Sequence, residues 1–205
     1  MKYLYYIFYI LLVMACENKT TEQKHISIPD SPAQDSIGVS AVNNSIENKN
    51  TEYLDWSMLK VNGKLPLLCN HKELNELLGE PDSIVVPNYE ELCVSFFEKD
   101  FNIAYYGASH FDVYKDSAVV QSIIFNGSSS IFLVSEKIIL SNQTTFSDLE
   151  KLFPKACQLK QEVNLYRVGK KMCIRLGTSS EYSDDAWLLF FDEDKLIQID
   201  YWMPC

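Results

Sequence analysis

Glycine and proline are scarce in this chain, seven of each in 205 residues, and histidine is scarcer still at three. So little Gly and Pro excludes a collagen-like or low-complexity protein. No two of the six cysteines stand as C-x2-C and no two histidines as H-x3-H, so neither a zinc module nor a dithiol redox motif is present. A Gly-rich phosphate loop and a Gly-x-Ser-x-Gly nucleophile elbow are missing too. Positive charge is in deficit, with 18 Lys+Arg against 28 Asp+Glu and a formal charge of −10. A nucleic-acid binder needs the opposite balance to meet the phosphates. Long apolar runs are lacking as well. The uncharged run Tyr3–Ala15 has 13 residues, short of the roughly 20 that a spanning helix requires.

What is present begins with an address. Lys2 and the amino terminus make a short positive region, the apolar run follows, and Leu12-Val13-Met14-Ala15 leads into Cys16. That order fits a secretory signal. An aliphatic residue three before the cysteine and a small one just before it resemble the bacterial lipoprotein signal. The resemblance implies cleavage at Cys16, a lipid thioether on its sulfur and an acylated new amino terminus. Two or more acyl chains hold a protein stably to a bilayer, whereas one holds it only marginally. The resemblance and Glu17 after the cysteine together predict the outer membrane, facing the periplasm or the cell surface. Cleavage would leave 17 Lys+Arg, 28 Asp+Glu and a net charge of −11. So acidic a body is repelled by an anionic surface, and charge alone would select neutral or basic partners.

Residues 16–52 predict a lipidated cysteine and a disordered tether. From Glu17 to Glu52 there is no aromatic residue and no Leu, too little apolar surface to offset the entropy of ordering. Asp35-Ser36-Ile37 resembles the O-glycan acceptor of some lipoprotein-rich Gram-negative groups, which makes Ser36 a candidate. An unmodified linker is the alternative.

The remainder predicts an α+β body of two tandem repeats, 53–128 and 129–205. Each is a β-hairpin, one short helix and an antiparallel sheet. Asn62-Gly63 between apolar runs is a strong hairpin signal, because both residues tolerate positive φ. Asn70 caps a helix with Leu74, Leu77 and Leu78 on one face, and Gly79 and Pro81 stop it. Strands are expected near Leu92–Phe97, Phe101–Tyr106, Ser109–Tyr114 and Ala118–Phe125. In the second half, runs flanking Ser135-Glu136 precede a helix capped by Thr145 with Asp148 behind it and ended by Pro154. Strands then follow near Val163–Val168, Lys171–Leu176, Ala186–Asp192 and Leu196–Trp202. Leu74 and Leu149 lie 75 apart, Cys93 and Cys173 80, and Val120 and Ile197 77. Val120-Gln121-Ser122-Ile123 also matches Ile197-Gln198-Ile199-Asp200. A period in the high seventies signals duplication. Helix, Gly/Pro break and antiparallel strands, twice over, resemble the tandem repeat of β-lactamase inhibitory protein. Leu77-Leu78-Gly79-Glu80-Pro81 is similar to the helix end of the small outer-membrane assembly lipoproteins that share the unit.

With Cys16 given to lipid, Cys69, Cys93, Cys157, Cys173 and Cys205 remain, and at most two bridges can form. Bridges within each half, Cys69–Cys93 and Cys157–Cys173, are the simplest expectation and leave Cys205 free. Buried thiols acting as small hydrophobes are the alternative. Ser109, His110 and Asp112 look like a triad, but alternation on a strand puts Ser109 and His110 on opposite faces. The sequence therefore predicts binding without catalysis, no metal and no cofactor. Tyr106, Tyr114 and Trp202 are expected on exposed sheet faces as contacts for an envelope or secreted protein. The alternative is an inhibitor or immunity protein that neutralises a toxin or secreted enzyme.

Overall fold

A computed structural model describes residues 52–92, 94–98, 100–125 and 130–205. Cys16, Ser36, Cys93 and the expected boundary near residue 128 lie outside the described residues.

A 3-10 turn at Trp56–Met58 opens the body. The first hairpin, β1 (Lys60–Val61) and β2 (Leu65–Pro66), turns at Asn62 and Gly63, with φ of 50° and 68°. Next come β3 (Leu68–Asn70) and α1 (His71–Leu78). An antiparallel series follows: β4 (Ser83–Val85), β5 (Asn102–Tyr106), β6 (Ser109–Tyr114) and β7 (Ser117–Ile124). The second hairpin is β8 (Leu133–Val134) and β9 (Ile139–Leu140), followed by α2 (Phe146–Leu152) and α3 (Pro154–Gln158). Four more strands close the chain: β10 (Gln161–Leu165), β11 (Gly169–Gly177), β12 (Ala186–Asp192) and β13 (Lys195–Trp202).

Two antiparallel sheets result, with a few short helices, in an α+β architecture. The larger has the order β10-β11-β12-β13-β7-β6-β5-β4, with β3 paired to part of β7. The smaller joins the two hairpins as β2-β1-β8-β9. One face of the large sheet packs against the helices and the small sheet. Phe111, Ile123, Trp187, Leu189 and Phe191 meet Leu74 of α1, Leu149 of α2 and Leu133 of β8 in a single buried cluster. Leu188 and Phe190 alternate with Trp187 and Leu189, so they point to the other face. There they pack with Leu165 and Cys173, and with half-buried Trp202.

Both helix starts form as the sequence predicts. Asn70 Oδ1 accepts from Lys72 N at 2.9 Å, and Gly79 ends α1 at φ 90°. Thr145 Oγ1 accepts from Asp148 N, and Asp148 Oδ2 accepts from Thr145 N, both at 3.1 Å. Replacing Thr145 by Ala removes one side of this box and is expected to cost about 1 kcal/mol in urea unfolding.

Several expectations are corrected. Pro154 ends α2 but also begins α3, where its missing N–H is no loss. Among the described residues of Leu92–Phe97 there is no strand. The rings there fill space instead, Phe96 over Trp56 at 6.2 Å and Phe97 against Tyr114 at 5.5 Å. In the run before the Asn62-Gly63 hairpin, Asp55 accepts from Ser57 N at 2.9 Å and bends the chain into the turn. Strand β4 was not expected.

The disulfide expectation also fails. Cys69, Cys157 and Cys173 are free and buried, while Cys205 is disulfide-bonded. Each free thiol sits among apolar side chains, and burial pushes its pKa up, to about 11 for Cys69 and Cys157 and about 12 for Cys173. These cysteines behave as small hydrophobes with little thiolate character.

Candidate functional site

The most unusual chemistry lies on the sheet face turned away from the helices. Strand register sets Tyr105 opposite His110, His110 opposite Ser122, Ser122 opposite Asp200, and Asp200 opposite Leu188, which faces Arg175. One row thus crosses six strands, five of which contribute in turn a phenol, an imidazole, a hydroxyl, a carboxyl and a guanidinium. Asp112 stands two residues from His110 on β6 and therefore on the same face.

The hydrogen bonds fix each carboxyl. Ser122 Oγ donates to Asp200 Oδ1 at 2.6 Å, and Gln198 Nε2 reaches both Asp200 oxygens at 2.9 Å. Gln121 Nε2 donates to Asp112 Oδ2 at 2.8 Å. The His110 ring lies 5.6 Å from that of Tyr105.

Desolvation dominates the electrostatics of the row. Burial lifts Asp112 to about 7 and Asp200 to about 6, although the amide and hydroxyl donors pull both back. Burial also lowers His110 to about 4, which keeps the imidazole neutral at pH 7. Three titratable groups share a small area and are all pushed towards their neutral forms.

This row does not have the order of a hydrolytic triad. A relay places the imidazole between hydroxyl and carboxylate. Here the Ser122 hydroxyl is donated straight to Asp200. Ser109 is occupied with backbone, its Oγ accepting from Ile124 N at 2.9 Å and so tying β6 to β7.

Of the expected contact residues, Tyr106 is misplaced. It shares the helix-side face with Ala104, is 8% exposed, and donates its hydroxyl to Asn75 Oδ1 of α1 at 2.6 Å. Counting alternation from Tyr105 would have put it there, since neighbouring strand residues point oppositely. Tyr114 is half-buried against Phe97, with Lys115 Nζ 4.8 Å above its ring. Trp202 is half-buried, with the Arg175 guanidinium 4.6 Å over its ring. Tyr114 and Trp202 retain an accessible edge, and Tyr106 does not.

No family model matches this chain, and comparison with curated proteins and with solved structures finds no significant match. The site must therefore be read from its own chemistry.

Two further features escaped the sequence. A pocket of about 360 Å³ lies between the start of α1 and the β6–β7 turn, lined by His71, Lys72, Glu76, Lys115 and Asp116 among others. His71 Nε2 is buried there without a hydrogen-bond partner. The second feature is an exposed apolar run at the sheet edge: Ile84 is 53% exposed, Val85 37% and Val86 68%. Three consecutive apolar side chains in solvent are costly unless something covers them.

Proposed function

We propose that this chain is a lipid-anchored envelope protein whose two-repeat body binds another protein and does not catalyse a reaction. The exposed apolar edge Ile84-Val85-Val86 supports a binding role most directly, because it leaves a sheet end suited to a partner. The hydroxyl-to-carboxyl bond of Ser122 supports the non-catalytic half of the reading, since both groups are buried and no imidazole stands between them.

Duplication is part of the reading. β7 and β13 carry the matched strings and pair with each other, and β1 and β8, one from each hairpin, pair in the small sheet. Matched elements meeting their counterparts is the arrangement that two like units related by a two-fold axis adopt. Each unit would also be marginal alone.

The anchor rests on Leu12-Val13-Met14-Ala15-Cys16. In the native bacterial host, Cys16→Ser should abolish incorporation of labelled palmitate and release the protein from the membrane fraction. Label that persists in the variant would remove the anchor from the reading. An inhibitor or immunity role is the second reading, favoured by the −11 charge of the cleaved chain, which suits a basic target. Stoichiometric loss of a secreted enzyme's activity on adding the full chain would promote it to first place.

A further inference from the structure

The two ends of the large sheet differ in a way that points to a docking site. An edge strand presents unpaired N–H and C=O groups, and proteins blunt such edges with charge, proline or brevity. At one end, β10 uses charge and polarity. Its exposed residues are Glu162 and Asn164, and Glu162 pairs with Lys170 at 2.7 Å. At the other end, every residue of β4 is exposed and two of the three are apolar, with Val86 continuing the run.

Geometry limits what can be added there. Among the described residues β4 pairs inward only, Ser83 to Tyr105, Ile84 to Ala104 and Val85 to Ile103. Pro81 and Pro87 bracket the strand and cannot donate to a ladder. The template is therefore residues 82–86, enough for about four or five residues of an incoming strand. Ile84 and Val86 point to one face, Ser83 and Val85 to the other, so alternate side chains of the guest meet apolar neighbours.

Charge selects the guest. From Glu80 to Asp100 the sequence holds six acids, Glu80, Asp82, Glu90, Glu91, Glu98 and Asp100, and a single base, Lys99. A second copy of this chain would bring its own acidic border against this one, and like charges oppose that pairing.

We propose that β4 is a strand-addition site that receives an extended segment of a partner protein. The segment carries β-branched apolar residues at alternate positions and Lys or Arg at its ends. This deepens the binding-module reading and rests on it. Main-chain hydrogen bonds supply the affinity of such a complex, while the side-chain neighbours and the acidic rim supply its specificity.

The full chain is titrated with the capped peptide Lys-Lys-Val-Thr-Val-Thr-Lys-Lys, and amide hydrogen exchange is followed over the whole body. The expected result is at least tenfold slower exchange in residues 82–86. Affinity should fall at least tenfold when Glu replaces the flanking Lys, and binding should vanish when Pro replaces the central Val. Ile84→Lys/Val86→Lys should lose the peptide, whereas Ile84→Thr, which keeps a β-branched residue, should retain most of it. Both variants lie on the surface, so matching unfolding midpoints establish that folding is intact. Slowed exchange confined to another region would overturn the β4 site but leave a binding module. Equal affinity for the Glu-flanked peptide, or no binding at millimolar peptide, would overturn the partner chemistry. Dimerisation of the peptide-free chain that Ile84→Lys abolishes would identify a second copy as the occupant and sink the proposal. Failure of the wider reading would look different: turnover of a substrate by a chain whose β4 exchange never changes.

Discussion

At pH 8, Asp112→Asn is expected to raise the unfolding free energy, and the gain should fade as pH drops to 4. The cause is desolvation: a carboxyl that is 5% exposed has its pKa raised to about 7 by burial. In the unfolded chain the same group titrates near its ordinary value of 3.8. Between about pH 4 and 7 the folded state therefore holds a proton that the unfolded state has lost, so stability falls as pH rises through that window. An Asn carries no charge to desolvate and can still accept the Gln121 hydrogen bond. A shift of this size corresponds to roughly 4 kcal/mol, an upper bound that local relaxation would trim towards 2.

The neighbouring groups sharpen the test. Asp200, raised to about 6, contributes in the same direction. His110, lowered to about 4, contributes in the other: its unfolded form binds a proton below about 6.5 that the folded form refuses, so stability falls as pH drops. Both remain in the Asp112→Asn variant, so the difference between variant and parent isolates Asp112. Urea unfolding of the two proteins at pH 4, 6 and 8 provides the measurement. A difference that stays constant with pH would mean that Asp112 is already ionised at pH 4, and that the sheet face is wetter than its burial implies.

This row also marks the limit of what a sequence reader can see. His110, Ser122 and Asp200 come from three strands, and only register brings them side by side. Local signals worked where the determinants are local. Asn70 and Thr145 cap their helices, and β6 and β12 occupy the predicted spans Ser109–Tyr114 and Ala186–Asp192. They failed where tertiary packing decides. Ser83–Val85 is too short to show alternation and forms a strand because β5 offers it a ladder. Phe96 and Phe97 belong to a run of strand-like composition, yet their rings are drawn to Trp56 and Tyr114. The cysteine pattern allows several pairings, and spacing alone does not show that Cys69, Cys157 and Cys173 are free and buried.

The largest loss of stability is expected from Trp187→Ala, about 3–5 kcal/mol, because it leaves a cavity the size of an indole in the core. Trp187 is fully buried, and its ring lies 5.2 Å from that of Trp56 and 5.5 Å from that of Tyr201. It also holds the entry of the chain into the body, since Nε1 donates to Leu54 O at 3.0 Å. That entry segment adds a short bridge alongside β11. Gly177 N donates to Glu52 O and Leu54 N to Gly177 O, both at 3.0 Å, while Trp56 N donates to Thr178 O at 2.7 Å. Glu52 Oε2 accepts from Ala156 N of α3 at 2.8 Å, so a carboxylate meets the first turn of that helix. Trp187→Phe separates the two contributions. It keeps most of the packing but leaves the Leu54 carbonyl without its donor, at about 1–3 kcal/mol. In Trp187→Phe, hydrogen exchange should accelerate at Leu54 and Trp56 while the amides of β12 stay protected. In Trp187→Ala both should accelerate together. The two patterns would show whether the attachment of residues 52–56 can open without unfolding the sheet. If Trp187→Phe leaves exchange at Leu54 and Trp56 unchanged, the backbone bridge to Gly177 and Thr178 holds that segment without the indole.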